Sequence, residues 1–174
     1  MSRTNFSVFF ALMMALALVF CLSAQAGETK TVTFSKSESS TVLSKSVLTP
    51  GDRPEHELSQ RVQVNHSTQS SDPEFSVKEE RVYMQIDSMP EGGANRGVIN
   101  YLHENGDQTF HTFEGGYQIT KKEDGTIEVT YQGDVQVIGG TGKFENIKGS
   151  GKLEGKFTPG KPGGFDATTI NFEY

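Results

Sequence analysis

Past residue 26, apolar and polar side chains alternate with period two, and no stretch sustains the 3.6-residue period of an amphipathic helix. The cleanest case is Thr126 to Ile138. Ile127, Val129, Tyr131, Val135 and Val137 share one face, and Glu128, Thr130, Gln132, Asp134 and Gln136 share the other. Gly133 falls in the apolar row and predicts a bend or bulge. Val82, Met84 and Ile86 alternate with Tyr83, Gln85 and Asp87. Further strands are predicted at Arg96–Glu104, Asp107–Glu114, Tyr117–Lys122, Lys152–Phe157 and Asp166–Tyr174, and a weaker pair at Glu28–Ser35 and Leu58–Val64. Lys36–Glu57 is rich in Ser, Thr, Lys and Glu and holds Pro50-Gly51 and Pro54. It reads as a long loop with room for one strand at Thr41–Leu48. His66–Glu74 and Pro159–Gly164 read as loops.

Asn105-Gly106 and Asp124-Gly125 mark hairpins, because the central residues of a tight turn need positive φ. With Asn105 and Gly106 as a two-residue turn, Tyr101 opposes Phe110 and Asn100 opposes His111. Asn100 and His111 then share a face with Val98 and Phe113, and Tyr101 shares the other with His103, Phe110 and Thr112. Either face can be the inner one. Consecutive hairpins build an antiparallel meander of eight or nine strands, whose exposed edges are removed by closure. The expected fold is therefore all-β, a closed eight-stranded antiparallel barrel, with a two-sheet sandwich as the alternative.

The first 26 residues have a different character. Arg3 precedes an uncharged apolar run from Phe6 to Leu22, and Ala24-Gln25-Ala26 supplies the small-x-small pattern of a signal-peptidase site. The run is short for a membrane span. Cleavage after Ala26 is expected, leaving residues 27–174 as one secreted or periplasmic domain with no membrane attachment. Cys21, the single cysteine, leaves with the leader, and with it any thiol or disulfide chemistry. The chain carries 16 basic and 22 acidic residues, a net charge of −6, with both signs interspersed. The absence of a basic footprint argues against nucleic acid as partner. Asn65-His66-Ser67 has the form of a glycosylation sequon.

Gly139-Gly140-Thr141-Gly142-Lys143-Phe144, followed by Ile147-Lys148-Gly149, resembles the glycine-rich signature of dirigent proteins and the related turn of allene oxide cyclases. The stretch from Gly92 to Gly115 resembles secreted bacterial proteins of the same barrel type. The resemblance covers residues 91–158 and implies a closed eight-stranded barrel that works without cofactors and forms dimers or trimers. Physically, the glycines permit a sharp rim turn, and Phe144 and Ile147 are placed to plug the barrel end. Gly142-Lys143 does not make a phosphate loop. The first glycine of that motif falls on Val137, and Phe144 stands where Ser or Thr is required.

Candidate chemistry is sparse. His56, His66, His103 and His111 have no metal-ligand spacing, so no metal site is expected. The aromatic and polar residues of the central hairpin point to a small apolar ligand held in the barrel. The candidate ligand-binding residues are Asn100, Tyr101, His103, Phe110, His111, Phe113, Glu114 and Tyr131. Glu114 shares parity with Phe110 and Thr112 and is expected at the barrel mouth, where burial would raise its pKa and suit it to acid–base work. The resemblance adds a cofactor-independent cyclase or isomerase as a second reading, and a protein-interaction barrel is a third. No full catalytic motif is present.

Overall fold

A computed structural model describes residues 28–36, 40–161 and 164–174. The leader, its cleavage site and Cys21 lie outside the described residues. Ten strands form one antiparallel sheet: β1 (Thr29–Lys36), β2 (Thr41–Leu48), β3 (Glu57–Asn65), β4 (Thr68–Ser70), β5 (Val77–Met89), β6 (Gly92–His103), β7 (Gln108–Lys121), β8 (Ile127–Gly140), β9 (Lys148–Phe157) and β10 (Phe165–Glu173). Two single 3-10 turns, Pro73–Phe75 and Gly142–Phe144, are the helical segments among the described residues.

The spatial order is β2-β3-β5-β6-β7-β8-β9-β10-β1-β4. The sheet curls into a half-barrel rather than the expected closed eight-stranded barrel. The reason lies in the segment read mostly as loop. β2 and β3 form a hairpin that adds to β5 through nine residue pairs, from Glu57↔Ser88 to Asn65↔Glu80. That hairpin takes the edge of β5 which closure against β1 would need. The free edge of β1 is covered by β4, through Phe34↔Ser70, Ser35↔Gln69 and Lys36↔Thr68, and by Ser71, whose N–H donates to the Thr33 carbonyl.

Hairpin geometry corrects a second expectation. Both turns have three-residue loops: His103 pairs with Asp107 and Lys122 with Thr126. Gly106 and Gly125 take positive φ of 89° and 80°, and the Asn105 and Asp124 side chains accept from the N–H groups of Asp107 and Thr126. The extra loop residue slips the register by one. Asn100 therefore faces Phe110, Ile99 faces His111, and Tyr101 faces Thr109. Because strand side chains alternate, one step exchanges the faces of a whole strand. Tyr101, His103, Thr109, His111 and Phe113 point inward together, while Asn100, Phe110, Thr112 and Glu114 point out.

The inner face has two halves. At one end Phe34, Phe75, Tyr101, Phe144 and Phe172 are buried. Phe34 stacks on Tyr101 at 4.3 Å between ring centroids, and Phe75 stacks on Phe172 at 4.5 Å. Phe144 and Ile147, from the glycine-rich turn, are buried in this cluster, so that turn does plug one end. Asp107 fastens it: the Lys143 N–H donates to Asp107 Oδ2, and Thr141 Oγ1 accepts from the Gln108 N–H. The other half of the inner face is hollow.

Candidate functional site

The hollow half is a cavity of about 840 Å³. Its apolar wall comes from β5, β6, β7, β8 and β9: Val82, Ile86, Ile99, Phe113, Val129 and Leu153. Small residues open it. Gly155 leaves room for the Tyr131 ring to lie across β9, where a Cβ would collide with that ring. At Gly93 a Cβ would strike the Asp87 carbonyl oxygen, with the Tyr117 hydroxyl beside it, and that hydroxyl donates to Ser88 Oγ at 2.7 Å.

A polar cluster closes one side. Glu80 on β5 is fully buried. Its Oε1 stands 3.0 Å from Lys36 Nζ on β1, and its Oε2 accepts from Thr68 Oγ1 on β4 at 2.6 Å. Lys36 also pairs with Asp166 on β10 at 3.1 Å. Burial opposes the charge of Lys36, but Glu80 and Asp166 outweigh it and hold the ammonium pKa above its ordinary value. Burial, reinforced by Asp166, raises the Tyr131 phenol, which keeps its proton as a donor beside the cavity. The lining is therefore a mostly apolar room with an ionic corner in which one ammonium serves two carboxylates.

The structure splits the eight expected ligand residues three ways. Phe113 and Tyr131 line the cavity. Tyr101, His103 and His111 point inward but are consumed in the packed aromatic end. Asn100, Phe110 and Glu114 face outward, and Asn100 donates to Gln108 Oε1 at 3.0 Å. Glu114 does not reach the barrel mouth. It is exposed in a polar row across the outer face, opposite Arg96 on one side and Asp134 on the other. Arg96, Glu114, Asp134 and Lys152 lie along an open trough of about 1210 Å³ on that face, where Lys152 pairs with Asp134.

The two buried histidines form one relay. The Phe75 carbonyl accepts from His103 Nδ1 at 3.2 Å, since a carbonyl can only accept. Neutral His103 then offers Nε2 to the Thr109 hydroxyl at 3.0 Å. Thr109 Oγ1 in turn accepts from His111 Nε2 at 2.9 Å. His111 Nδ1 is left as a lone pair without a partner in the aromatic core. Burial, helped by His103, pushes the His111 pKa down to about 3, and burial lowers that of His103 too. This relay is core structure, sealed from the cavity.

Lys36, Glu80 and Asp166 were not among the expected residues, although period two contained them. Lys36 has the parity of Val32 and Phe34, Glu80 that of Val82 and Met84, and Asp166 that of Ile170 and Phe172. A charged residue in the apolar row of a strand was the available signal. Asn65 of the sequon is buried, and its Oδ1 accepts from the N–H and hydroxyl of Ser67, which occupies it as a local cap. Among the described residues no group of three His, Cys, Asp or Glu is placed to hold a metal ion. Comparison of the chain with protein-family models, with curated proteins and with solved structures finds no match.

Proposed function

We propose that this is an exported binding protein whose half-barrel holds a small, largely apolar molecule. The observation that carries the reading is the hollow half of the inner face. A domain that packs one end of its sheet with stacked aromatic rings leaves about 840 Å³ unfilled at the other, within the usual size range of small-molecule sites. Its wall is apolar with few polar groups, the pattern that favours burial of an apolar ligand. Export rests on Arg3, the Phe6–Leu22 run and Ala24-Gln25-Ala26. Kinship with allene oxide cyclases and dirigent proteins rests on the Gly139–Phe144 turn.

The cyclase or isomerase reading draws less support. Glu114 and His111, the polar groups that would serve it, sit on the outer face and in the packed end.

The test uses N-phenyl-1-naphthylamine, a neutral dye that brightens in apolar surroundings. Saturable binding is expected. Ile86→Trp, which puts an indole into the cavity from a half-buried position, should weaken it by about tenfold, the loss of about 1.4 kcal/mol. A dye that does not saturate, or a variant that binds like the parent, rejects the reading.

A further inference from the structure

The wall formed by β3 breaks the apolar pattern. Its inward residues are Glu57, Ser59, Arg61, Gln63 and Asn65, as fixed by their pairing with the inward residues of β5. Arg61 lines the cavity, its Nε is buried, and it has no hydrogen-bond or ion-pair partner among the described residues. Its cross-strand neighbours are Lys45 on β2 and Met84 on β5. Along β3 the next inward residues are Ser59 and Gln63. Glu57 lies four residues away, about 13 Å along a strand. The two acids of the polar corner, Glu80 and Asp166, are already engaged by Lys36.

Arg61 therefore faces a second cation, Lys45, and no free carboxylate. Like charges directly opposite on a sheet destabilise it, and a buried guanidinium N–H without an acceptor costs more than a hydrogen bond gives. A second unmet group stands in the same cavity wall: Asn95 Oδ1 on β6 is buried without a donor. In the same row as Lys45, Arg61 and Met84 comes Gly97, which presents no side chain. The wall thus carries an unpaired cation at the edge where Lys45 meets solvent.

We infer that the ligand of this cavity is an organic anion, its apolar body against Val82, Ile99 and Phe113 and its charged group received by Arg61 and Lys45. This rests on the cavity being the binding site. An anion there would accept from the Arg61 fork, which suits planar or tetrahedral oxyanions, and would relieve the Arg61–Lys45 repulsion. The mostly acidic surface of the chain, at net −6, makes an unpaired basic pair on a concave wall stand apart from its surroundings.

The experiment compares two dyes that share a skeleton. 8-Anilinonaphthalene-1-sulfonate carries a sulfonate, and N-phenyl-1-naphthylamine lacks it. With the purified protein, Arg61→Gln should weaken the sulfonate by about tenfold more than it weakens the neutral dye, the scale of a charged hydrogen bond. Lys45→Gln, at an exposed position, should weaken the sulfonate severalfold, which keeps the test decisive if Arg61→Gln melts early. Arg61→Lys should retain most of the sulfonate affinity. Equal loss of both dyes in Arg61→Gln, or loss of neither in both variants, overturns the anion assignment while the neutral dye still reports the cavity. Failure of the neutral dye to saturate in the parent protein instead removes the cavity reading, and this inference with it.

Discussion

Lys36 Nζ and Glu80 Oε1 meet at 3.0 Å across the gap between β1 and β5, two strands of the half-barrel that no backbone ladder joins. Lys36 ends β1 and Glu80 belongs to β5, strands that are not neighbours in the sheet. Thr68 of the three-residue β4 completes the link by donating to the other Glu80 oxygen. An ion pair and a hydroxyl thus do at the gap what a ladder does elsewhere. Breaking a buried pair by removing one partner leaves an uncompensated charge and costs about 3–5 kcal/mol. Lys36→Met and Glu80→Met should each lower stability to denaturant on that scale. Lys36→Met combined with Glu80→Met should lose less than the two single losses together, because it removes both charges. Additive losses in a double-mutant cycle would show that the two residues do not act as a pair.

The buried histidines set an acid limit. His111 is held at about 3 by burial, against an ordinary value near 6.5, and His103 is also depressed. The unfolded chain therefore binds more protons than the folded one between these values, and stability rises with pH across that window. It is fully present above about pH 6.5 and is lost progressively as pH falls toward 3. His56 goes the other way. The Asp52 carboxylate hydrogen-bonded to its ring, and then Asp87, raise its pKa. Imidazole resonances followed by NMR should show His56 titrating above pH 6.5 and His111 unchanged down to about pH 4. Thr109→Val should alter the chemical shifts of both His103 and His111, since its hydroxyl joins them. Titration of His111 near 6.5 would contradict its burial.

Much of this fold was legible in period two. β8 carries Val129, Tyr131, Val135 and Val137 inward as the alternation predicts, and both glycine turns stand where the sequence marks them. The register of the hairpin at Asn105-Gly106 was not legible. Two- and three-residue loops share the same Asx-Gly signal, and the single extra residue decides which of Tyr101 and Phe110 enters the core. β2 stands where the sequence left room for one strand, at Thr41–Leu48, but its pattern gives that strand little support. All eight of its residues are exposed, so no apolar face is needed, and Ser44, Lys45 and Ser46 alternate with nothing. Its assignment as strand comes from pairing with β3, a long-range property. The polar corner gathers Lys36, Glu80 and Asp166 from three distant strands, a meeting that topology alone specifies.

Processing gives a direct readout of the leader. If signal peptidase recognises Ala24-Gln25-Ala26, the exported protein begins at Gly27, and N-terminal sequencing or intact mass will show it. Ala26→Pro should block cleavage and leave a precursor that retains Cys21. An exported protein that still contains Cys21 would reject the leader assignment.

Glycine at position 97 is required by its neighbour, and glycine at 106 by its own backbone. At Gly97 a Cβ would collide with the Tyr83 carbonyl oxygen of β5 and press on the Phe113 ring, both fixed by the sheet. At Gly106 nothing lies within 4 Å, and the obstacle is a φ of 89° that side chains disfavour. Gly106→Ala should therefore cost about 1 kcal/mol, the ordinary penalty of the left-handed region. Gly97→Ala must displace β5 from β6 or tilt Phe113, and overpacking of that kind costs about 3 kcal/mol. The two also differ in reach. Gly106→Ala acts at a loop tip and should leave dye binding unchanged. Gly97→Ala moves the cavity wall between Met84 and Phe113, so the affinity for N-phenyl-1-naphthylamine should fall together with stability. Equal destabilisation by the two substitutions would mean that β5 and β6 can separate freely at Gly97, and that the tight approach there does not shape the cavity.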